Sequence, residues 1–486
     1  MGFMKKQAAT PLVYFTGDFA EAGASDPCHG KGEVGAELAR QQILDIMNYD
    51  WLALRKALPG AKVFGCLGNH DSHPGDVFFG TTGDCPVDKC QKWQYDNLTA
   101  LWGPDLSNDP AALATLKKGA YYATQPMKGL TVVALNIQYW DTQNSQIADK
   151  TSSAYAEGQE QFVWLAGVLA AAKKRGDAVH ILGHQPPANK SWKARYYTKF
   201  MALCTQYKDT IKAQFYGHIH TDQWSLTRSC AASKPGAPYK ETSRIKWCSG
   251  GGDWEPGNIF GAGNTSCPLV PKAWSDADVV SKCEAACTGS AECLGFTLYD
   301  NTTTKQGLRQ CCFRTGSVAS QPACPTCTAR CYAKPRGEEC NGEATGVIIP
   351  GPSLTEGWPA TNPALRLLTF DAESFELLEM KTFYADLHAG NKKSPPSLDW
   401  QLEYDFRKKF GMADLSPASF EALHAKMASE GSALWQTYRG QGDGSLFCTK
   451  YDGKSAPFKP TDPCAVCDGA CKSAWLQHLN GTATPP

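Results

Sequence analysis

Four short segments of this chain carry side chains able to hold metal ions. "LGNHD" at 67–71 sets an Asn beside a His, and "FTGD" ends on Asp18. "ILGHQPP" contains His184, and "FYGHIH" contains His218 and ends on His220. The Asp18 carboxylate can bridge two cations, Asn69 offers an amide oxygen, and His184, His218 and His220 each offer a ring nitrogen. Hydrolysis of a phosphate ester needs charge neutralisation, a deprotonated water and a protonated leaving group. Two metal ions about 3.5–4 Å apart supply the first two together. Taken singly, a Gly-Asp after a strand is usually a turn, and a lone histidine is usually a core or surface residue. The weight lies in four such segments, each following an apolar run. Gly17, Gly68, Gly183 and Gly217 precede these side chains and are expected to let the chain turn sharply, so that the side chains converge.

The apolar runs "LVYF", "KVFGCLG", "LTVVALN", "AVHILG" and "AQFYG" have the length and composition of buried strands. Helical patterns lie between them, at 33–57 and 160–174. In the second, Phe162, Leu165, Val168 and Leu169 recur at helical spacing. Alternating strands and helices predict an α/β layered core. The motif residues sit just after the strands, where such folds place their ligands.

Length and composition bound the rest. The chain has 486 residues, enough for two or three domains. Lys plus Arg and Asp plus Glu both number 48, so nothing favours a nucleic-acid duplex or a strongly anionic surface as partner. The 21 cysteines suggest disulfides and an oxidising compartment, and their odd number leaves at least one thiol unpaired within the chain. Sequons at Asn97, Asn189, Asn264, Asn301 and Asn480 agree with a secreted or lysosomal glycoprotein. No transmembrane stretch and no signal peptide are legible, so the true start of the protein is expected to lie upstream of Met1.

Cysteines crowd between 267 and 340, where apolar content is low, which predicts a small disulfide-stapled module. Strand patterns resume in "TGVIIPG", "LRLLTFD" and "FELLEMKTFYADL" and are expected to complete the first sheet. The tail reads as helices, "DWQLEYDFRKKFG" and then "SPASFEALHAKMAS", with Ser416 as N-cap and Pro417 in the first helical position. The expected segments are 1–255, 262–342, 343–390 and 391–486.

Longer stretches carry a resemblance. "VYFTGD", "GNHDSHP", "VVALNIQYW", "FVWLAGVLAAAKKRGDAVHILGHQPP", "AQFYGHIHTDQW", "NPALRLLTFD" and "DWQLEYDFRKKFGM" are similar to the acid sphingomyelinase-like phosphodiesterases among the calcineurin-like metallophosphoesterases. The cysteine-rich segment resembles a PAN/apple module through "SKCEAAC", "CLGFTLY" and "CCFRT". The resemblance implies a metallophosphoesterase β-sandwich flanked by helices, a disulfide-rich insert at 262–342 and a helical C-terminal domain. It implies two zinc ions bridged by Asp18, one completed by Asn69, His184 and His218, the other served by His220. His70 would orient or protonate the leaving oxygen while a metal-bound hydroxide attacks phosphorus. The substrate would be a sphingomyelin-like phospholipid or a nucleotide-type phosphodiester, and the insert would bind protein or carbohydrate.

Two departures accompany the resemblance. The family carries an Asp-X-His on the strand before "TGD", whereas residues 1–17 contain no Asp, Glu or His, so the second zinc would keep only Asp18 and His220. The sphingomyelinase group also carries a histidine four residues after the bridging aspartate. Here that position is Ala22, and His29 is the nearby candidate to replace it. The competing expectation is therefore an extracellular protein on the same fold that binds its ligand without turnover.

Overall fold

A computed structural model describes residues 12–20, 40–81, 89–148, 151–187, 191–229, 231–232, 240–245, 275–288, 295–299, 310–314, 329–333, 338–339, 342–354, 362–429, 434–435, 437–438, 476–477 and 479. Ala22, His29 and the sequons at 189, 264, 301 and 480 lie outside the described residues. The chain forms two compact units. The first comprises Met1–Trp192, Leu203–Ser229 and Glu343–Pro486, and the second Lys193–Ala202 and Cys230–Gly342.

In chain order the larger elements begin with β1 (Leu12–Phe15), α1 (Arg40–Ala57), β2 (Lys62–Gly65), α2 (Lys92–Trp102) and α3 (Pro110–Gly119). They continue with β3 (Tyr122–Met127), β4 (Leu130–Ala134), α4 (Ser153–Arg175), β5 (Ala178–Leu182), α5 (Ala194–Gln206), β6 (Ile211–Tyr216) and β7 (Ser225–Arg228). Next come β8 (Ala231–Ala232), β9 (Lys240–Ile245), α6 (Asp276–Thr288), β10 (Gly295–Tyr299), β11 (Gln310–Arg314), β12 (Ala329–Ala333) and β13 (Glu338–Glu339). The last are β14 (Ala344–Pro350), β15 (Ala364–Phe370), β16 (Leu377–Ala385), α7 (Leu387–Asn391), β17 (Trp400–Asp405), α8 (Phe406–Lys409) and α9 (Pro417–Ala428).

The first unit is built on a six-stranded sheet in the order β3-β4-β5-β6-β14-β7. Strands β4, β5, β6 and β14 are parallel, and β3 and β7 close the edges antiparallel. Every residue of β4 and β5 is buried, as expected of parallel strands covered on both faces. Helix α4 turns one stripe inward: Ala154, Gly158, Gln161, Leu165, Leu169 and Ala172 are buried at intervals of three and four. Ser152 caps it by accepting from the Tyr155 amide, and Gly176, at φ 75°, ends it. Strands β1 and β2 form a separate parallel pair, in register from Leu12 with Lys62 to Phe15 with Gly65.

The segment after the cysteine-rich region departs from the sequence expectation. Only β14 enters the main sheet. β15 and β16 pair instead with β17 in an antiparallel sheet of three strands. "DWQLEYDFRKKFG" is therefore not one helix: Trp400–Asp405 is a strand, and the helix starts at Phe406. Pairing with β16 supplies the strand's hydrogen bonds, and Asp405 then caps the short helix by accepting from the Lys408 amide at 3.3 Å. Helix α9 begins as expected, with Ser416 accepting from the Ser419 amide and proline in its first turn.

One buried histidine joins the layers of this unit. His180 of β5 faces Tyr14 of β1 and packs on Phe370 of β15, with ring centroids 5.9 and 4.5 Å away. Its Nε2 donates to the Phe375 carbonyl at 3.1 Å, so its Nδ1 accepts from the Tyr14 hydroxyl at 2.8 Å. Burial pushes its pKa down to about 4. The folded protein therefore holds this group neutral while the unfolded chain, near 6.5, protonates it. Stability is intact above about pH 6.5 and falls as pH drops towards 4, by roughly 3 kcal/mol for a fall of this size. Thermal unfolding across that window should show a steeper acid limb in the parent than in His180→Gln. Equal slopes would remove His180 as the cause.

The second unit has a four-stranded antiparallel sheet, β11-β10-β12-β9. Helix α6 covers it through Val279, Cys283 and Cys287, which share a core with Phe296, Leu298, Cys311 and Tyr332. A disulfide links Cys283 to Cys311. Cys66 and Cys204, both in the first unit, are buried free thiols. No helix among the described residues is long and apolar enough to cross a membrane.

Candidate metal centre

Four strands deliver the site. Asp18 follows β1, Asn69 follows β2, His184 follows β5 and His218 follows β6, each at the carboxyl end of a parallel strand. The β1 and β2 loops leave their strands together, with the Cys66 amide donating to the Phe15 carbonyl at 3.1 Å. The β5 and β6 loops do likewise, with the Gly217 amide donating to the His184 carbonyl at 2.9 Å.

The side chains converge. The carboxylate of Asp18 and the rings of His184 and His218 place ligand atoms within 4.8 Å of one another. His184 Nε2 lies 2.9 Å from Asp18 Oδ2 and 3.1 Å from Asn69 Oδ1. His218 Nδ1 lies 3.0 Å from the same Asn69 oxygen. Two imidazole nitrogens, a carboxylate and an amide oxygen form a donor set suited to one divalent cation. Partners behind the donors orient them. His184 Nδ1 donates to the Thr16 carbonyl at 2.6 Å, which leaves Nε2 as the coordinating atom. The Asn69 amide nitrogen donates to Asp76 Oδ1 at 2.8 Å, which turns the amide oxygen inward.

His220 and His70 stand beside this group rather than within it. Burial pushes His218 down to about 3, and neighbouring His184, His220 and His70 add to that depression, so all three lie within electrostatic reach. Neutral imidazole is the form that binds a metal. His70 is half-buried, and its backbone amide donates to Asp18 Oδ1 at 2.9 Å. Burial alone would raise the Asp18 carboxyl, but His184 and His70 hold it well below the usual carboxylate range. Asp18, His184 and His218 are the one group of three metal-ligating side chains among the described residues, so His220 gains no second cluster there.

The expected role of the glycines is only partly observed. Gly17 is left-handed at φ 91°, and a Cβ there would lie 2.8 Å from His184 Nδ1. Gly68 is needed for space, because a Cβ would run into the Asp18 side chain. The sharp turns themselves fall on the candidate donors Asp18 and His218 and on the neighbouring His220, which have φ of 56°, 70° and 58°. Such backbone costs roughly 1–2 kcal/mol per residue and persists where surrounding bonds over-determine it.

Asp71 is the main group that sequence reasoning missed. It is fully buried. Its Oδ1 accepts from the amides of Phe19 and Ala20 at 2.7 and 3.1 Å, and its Oδ2 from those of Asp18 and Gly68 at 3.0 and 2.7 Å. One carboxylate thus staples the Asp18 loop to the Asn69 loop. Burial and the Asp18 charge push its pKa up to about 7, against the donors of Gly68 and Ala20. Phe19 seals the staple, with Trp51 and Trp102 each 6.2 Å away and Phe15 stacked at 4.1 Å. The "GNHD" motif contains Asp71, but only contacts across 53 residues show its use.

Residues 3–222 match the calcineurin-like phosphoesterase family, and residues 348–478 match the acid sphingomyelin phosphodiesterase C-terminal region. Human sphingomyelin phosphodiesterase is 34% identical over 217 residues, 44% of this chain and 31% of that protein. Human acid sphingomyelinase-like phosphodiesterase 3b is 24% identical over 412 residues, 83% of this chain and 64% of that protein. Human cyclic GMP-AMP phosphodiesterase SMPDL3A is 29% identical over 197 residues, 38% of this chain and 40% of that protein. The chain therefore spans from about a third to just under two thirds of the length of these relatives.

Proposed function

As a calcineurin-like metallophosphoesterase related to the acid-sphingomyelinase-like family, this chain is, we propose, a metal-dependent phosphodiesterase. The observation that carries this reading is the convergence of Asp18, His184 and His218 around the Asn69 amide oxygen. A divalent ion held there, which we assign as zinc, supplies Lewis acidity at a phosphoryl oxygen. Asp18, Asn69, His184 and His218 bind it, with His220 beside them. As a water oxygen bonds to phosphorus and the ester P–O bond breaks, His70 gives its proton to the leaving oxygen, so that one water and the diester become a phosphomonoester and an alcohol. The substrate classes are a sphingomyelin-like phospholipid and a nucleotide-type phosphodiester, supported by relatives named for each. We place the protein outside the cytosol, secreted or lysosomal, a reading supported by its disulfide-bonded cysteines. The module of α6 and β9 to β12 is assigned an apple-like recognition role, with protein or carbohydrate as ligand. Its own helix-on-sheet core supports that assignment.

A second reading is favoured by one observation. Beyond the triad, no other group of three metal-ligating side chains occurs among the described residues. This suits a protein that binds one ion and a phosphoester without turning it over. Both readings meet one experiment on the purified chain. Zinc at a hundredfold excess over its Kd should stabilise the fold by about 2.7 kcal/mol. His184→Ala should abolish that shift. Chelation should stop hydrolysis of a phosphodiester, and zinc should restore it. Zinc-induced stabilisation without hydrolysis would select the binding protein. Absence of both would remove the metal centre.

A further inference from the structure

Asp222 lies two residues beyond His220, at the end of the β6 loop, and is buried. Every strand of the C-terminal sheet reaches it. Arg366 of β15 forms an ion pair with its Oδ1. Thr382 of β16 donates to its Oδ2 at 2.5 Å, and the Tyr404 hydroxyl of β17 donates to the same oxygen. The backbone adds a second tie. The chain leaving β14 donates from Gly351 to the Tyr216 carbonyl at 2.8 Å and from Ser353 to the His220 carbonyl at 3.3 Å. Arg366 also donates to the Pro350 carbonyl at 3.3 Å, so it grips both sides of the junction. The loop held in this way carries two residues in left-handed backbone, His218 and His220.

We infer that Asp222 is a positioning residue for the metal centre. Through it the three-stranded C-terminal sheet fixes the loop that presents His218 and His220. The physical case is that left-handed histidines need over-determined surroundings. An Asp holding three side chains from three strands, with two backbone bonds beside it, provides them. The C-terminal sheet is thereby part of the site although none of its residues is in the triad. The inference rests on the metal-binding reading above only for its functional consequence, because the mechanical claim concerns the loop itself.

The test uses the full chain with Asp222→Asn, Asp222→Ala and the milder Thr382→Val and Tyr404→Phe. Two readouts are taken. Amide exchange of residues 218–221, measured without metal, should quicken at least tenfold in Asp222→Asn. Zinc affinity, measured below the unfolding transition, should fall about 10–100-fold, the range for groups that orient ligands, and the metal-free variants should unfold at a lower temperature because Arg366 loses its buried partner. Should the Asp222 variants fail to fold, Thr382→Val and Tyr404→Phe each remove one donor and should show the same two changes at smaller size. Unchanged exchange across 218–221 in the folded variants overturns the inference whether or not the parent binds zinc. If the parent binds no zinc while exchange quickens, the positioning role stands and the metal reading falls.

Discussion

His70→Ala is expected to slow turnover of a phosphodiester roughly 10²–10⁴-fold, the loss typical of a missing general acid. The variant keeps the centre's geometry, because the bond to Asp18 Oδ1 comes from the backbone amide of residue 70, which alanine retains. The His70 ring is not one of the triad, and its charge acts on Asp18 and His218. Zinc content and KM should therefore stay within a few-fold of the parent while kcat falls. Leaving-group chemistry sharpens the measurement. A p-nitrophenolate departs readily without a proton, whereas an aliphatic alkoxide does not. The defect should be small on a bis-p-nitrophenyl ester and large on an alkyl diester. Equal turnover of the alkyl diester by parent and variant would take the proton-donor role away from His70.

Asp71→Ala should produce the largest loss of stability at the site. It strips the acceptor from four backbone amides, those of Asp18, Phe19, Ala20 and Gly68. A buried donor left without a partner costs about 1–3 kcal/mol, and relaxation of the loops recovers part of the sum. We expect a net loss of about 3–5 kcal/mol, comparable with breaking a buried charged network. Zinc binding should weaken as well, because the Asp18 turn loses its link to the Asn69 loop. Asp71→Asn separates the two effects. It retains one acceptor oxygen and sets an NH₂ against two amide donors, so it should unfold at a temperature between parent and alanine variant. Denaturant unfolding of the three proteins, with and without zinc, checks both statements. An alanine variant as stable as the parent would show that the staple is dispensable.

Much of the first unit was legible in the residues. Val-, Ile- and Leu-rich runs of strand length can be satisfied only by burial, and β1, β2, β4, β5 and β6 formed where they were expected. The N-cap of α9 was equally local, since Ser416 and Pro417 act on the turn that follows them. The strand from Trp400 is not legible in its own residues because it depends on β16, which supplies the bonds from Lys381 to Ala385. Local preference carries no record of that partner.

The metal site divides along the same line. The sequence by itself determined the candidate donors: a carboxylate, an amide and imidazoles, each placed after a strand whose apolar composition commits it to the core. Residue type and strand pattern are local properties, so Asp18, Asn69, His184 and His218 could be named together before any contact was known. Tertiary structure alone decided what holds those donors in place. Asp71 staples two loops, Asp76 turns Asn69, the Thr16 carbonyl selects the nitrogen of His184, and Asp222 ties the histidine loop to the C-terminal sheet. These are hydrogen bonds and charges between segments up to 182 residues apart, and an aspartate's neighbours in the chain do not show which distant amide or guanidinium it will meet.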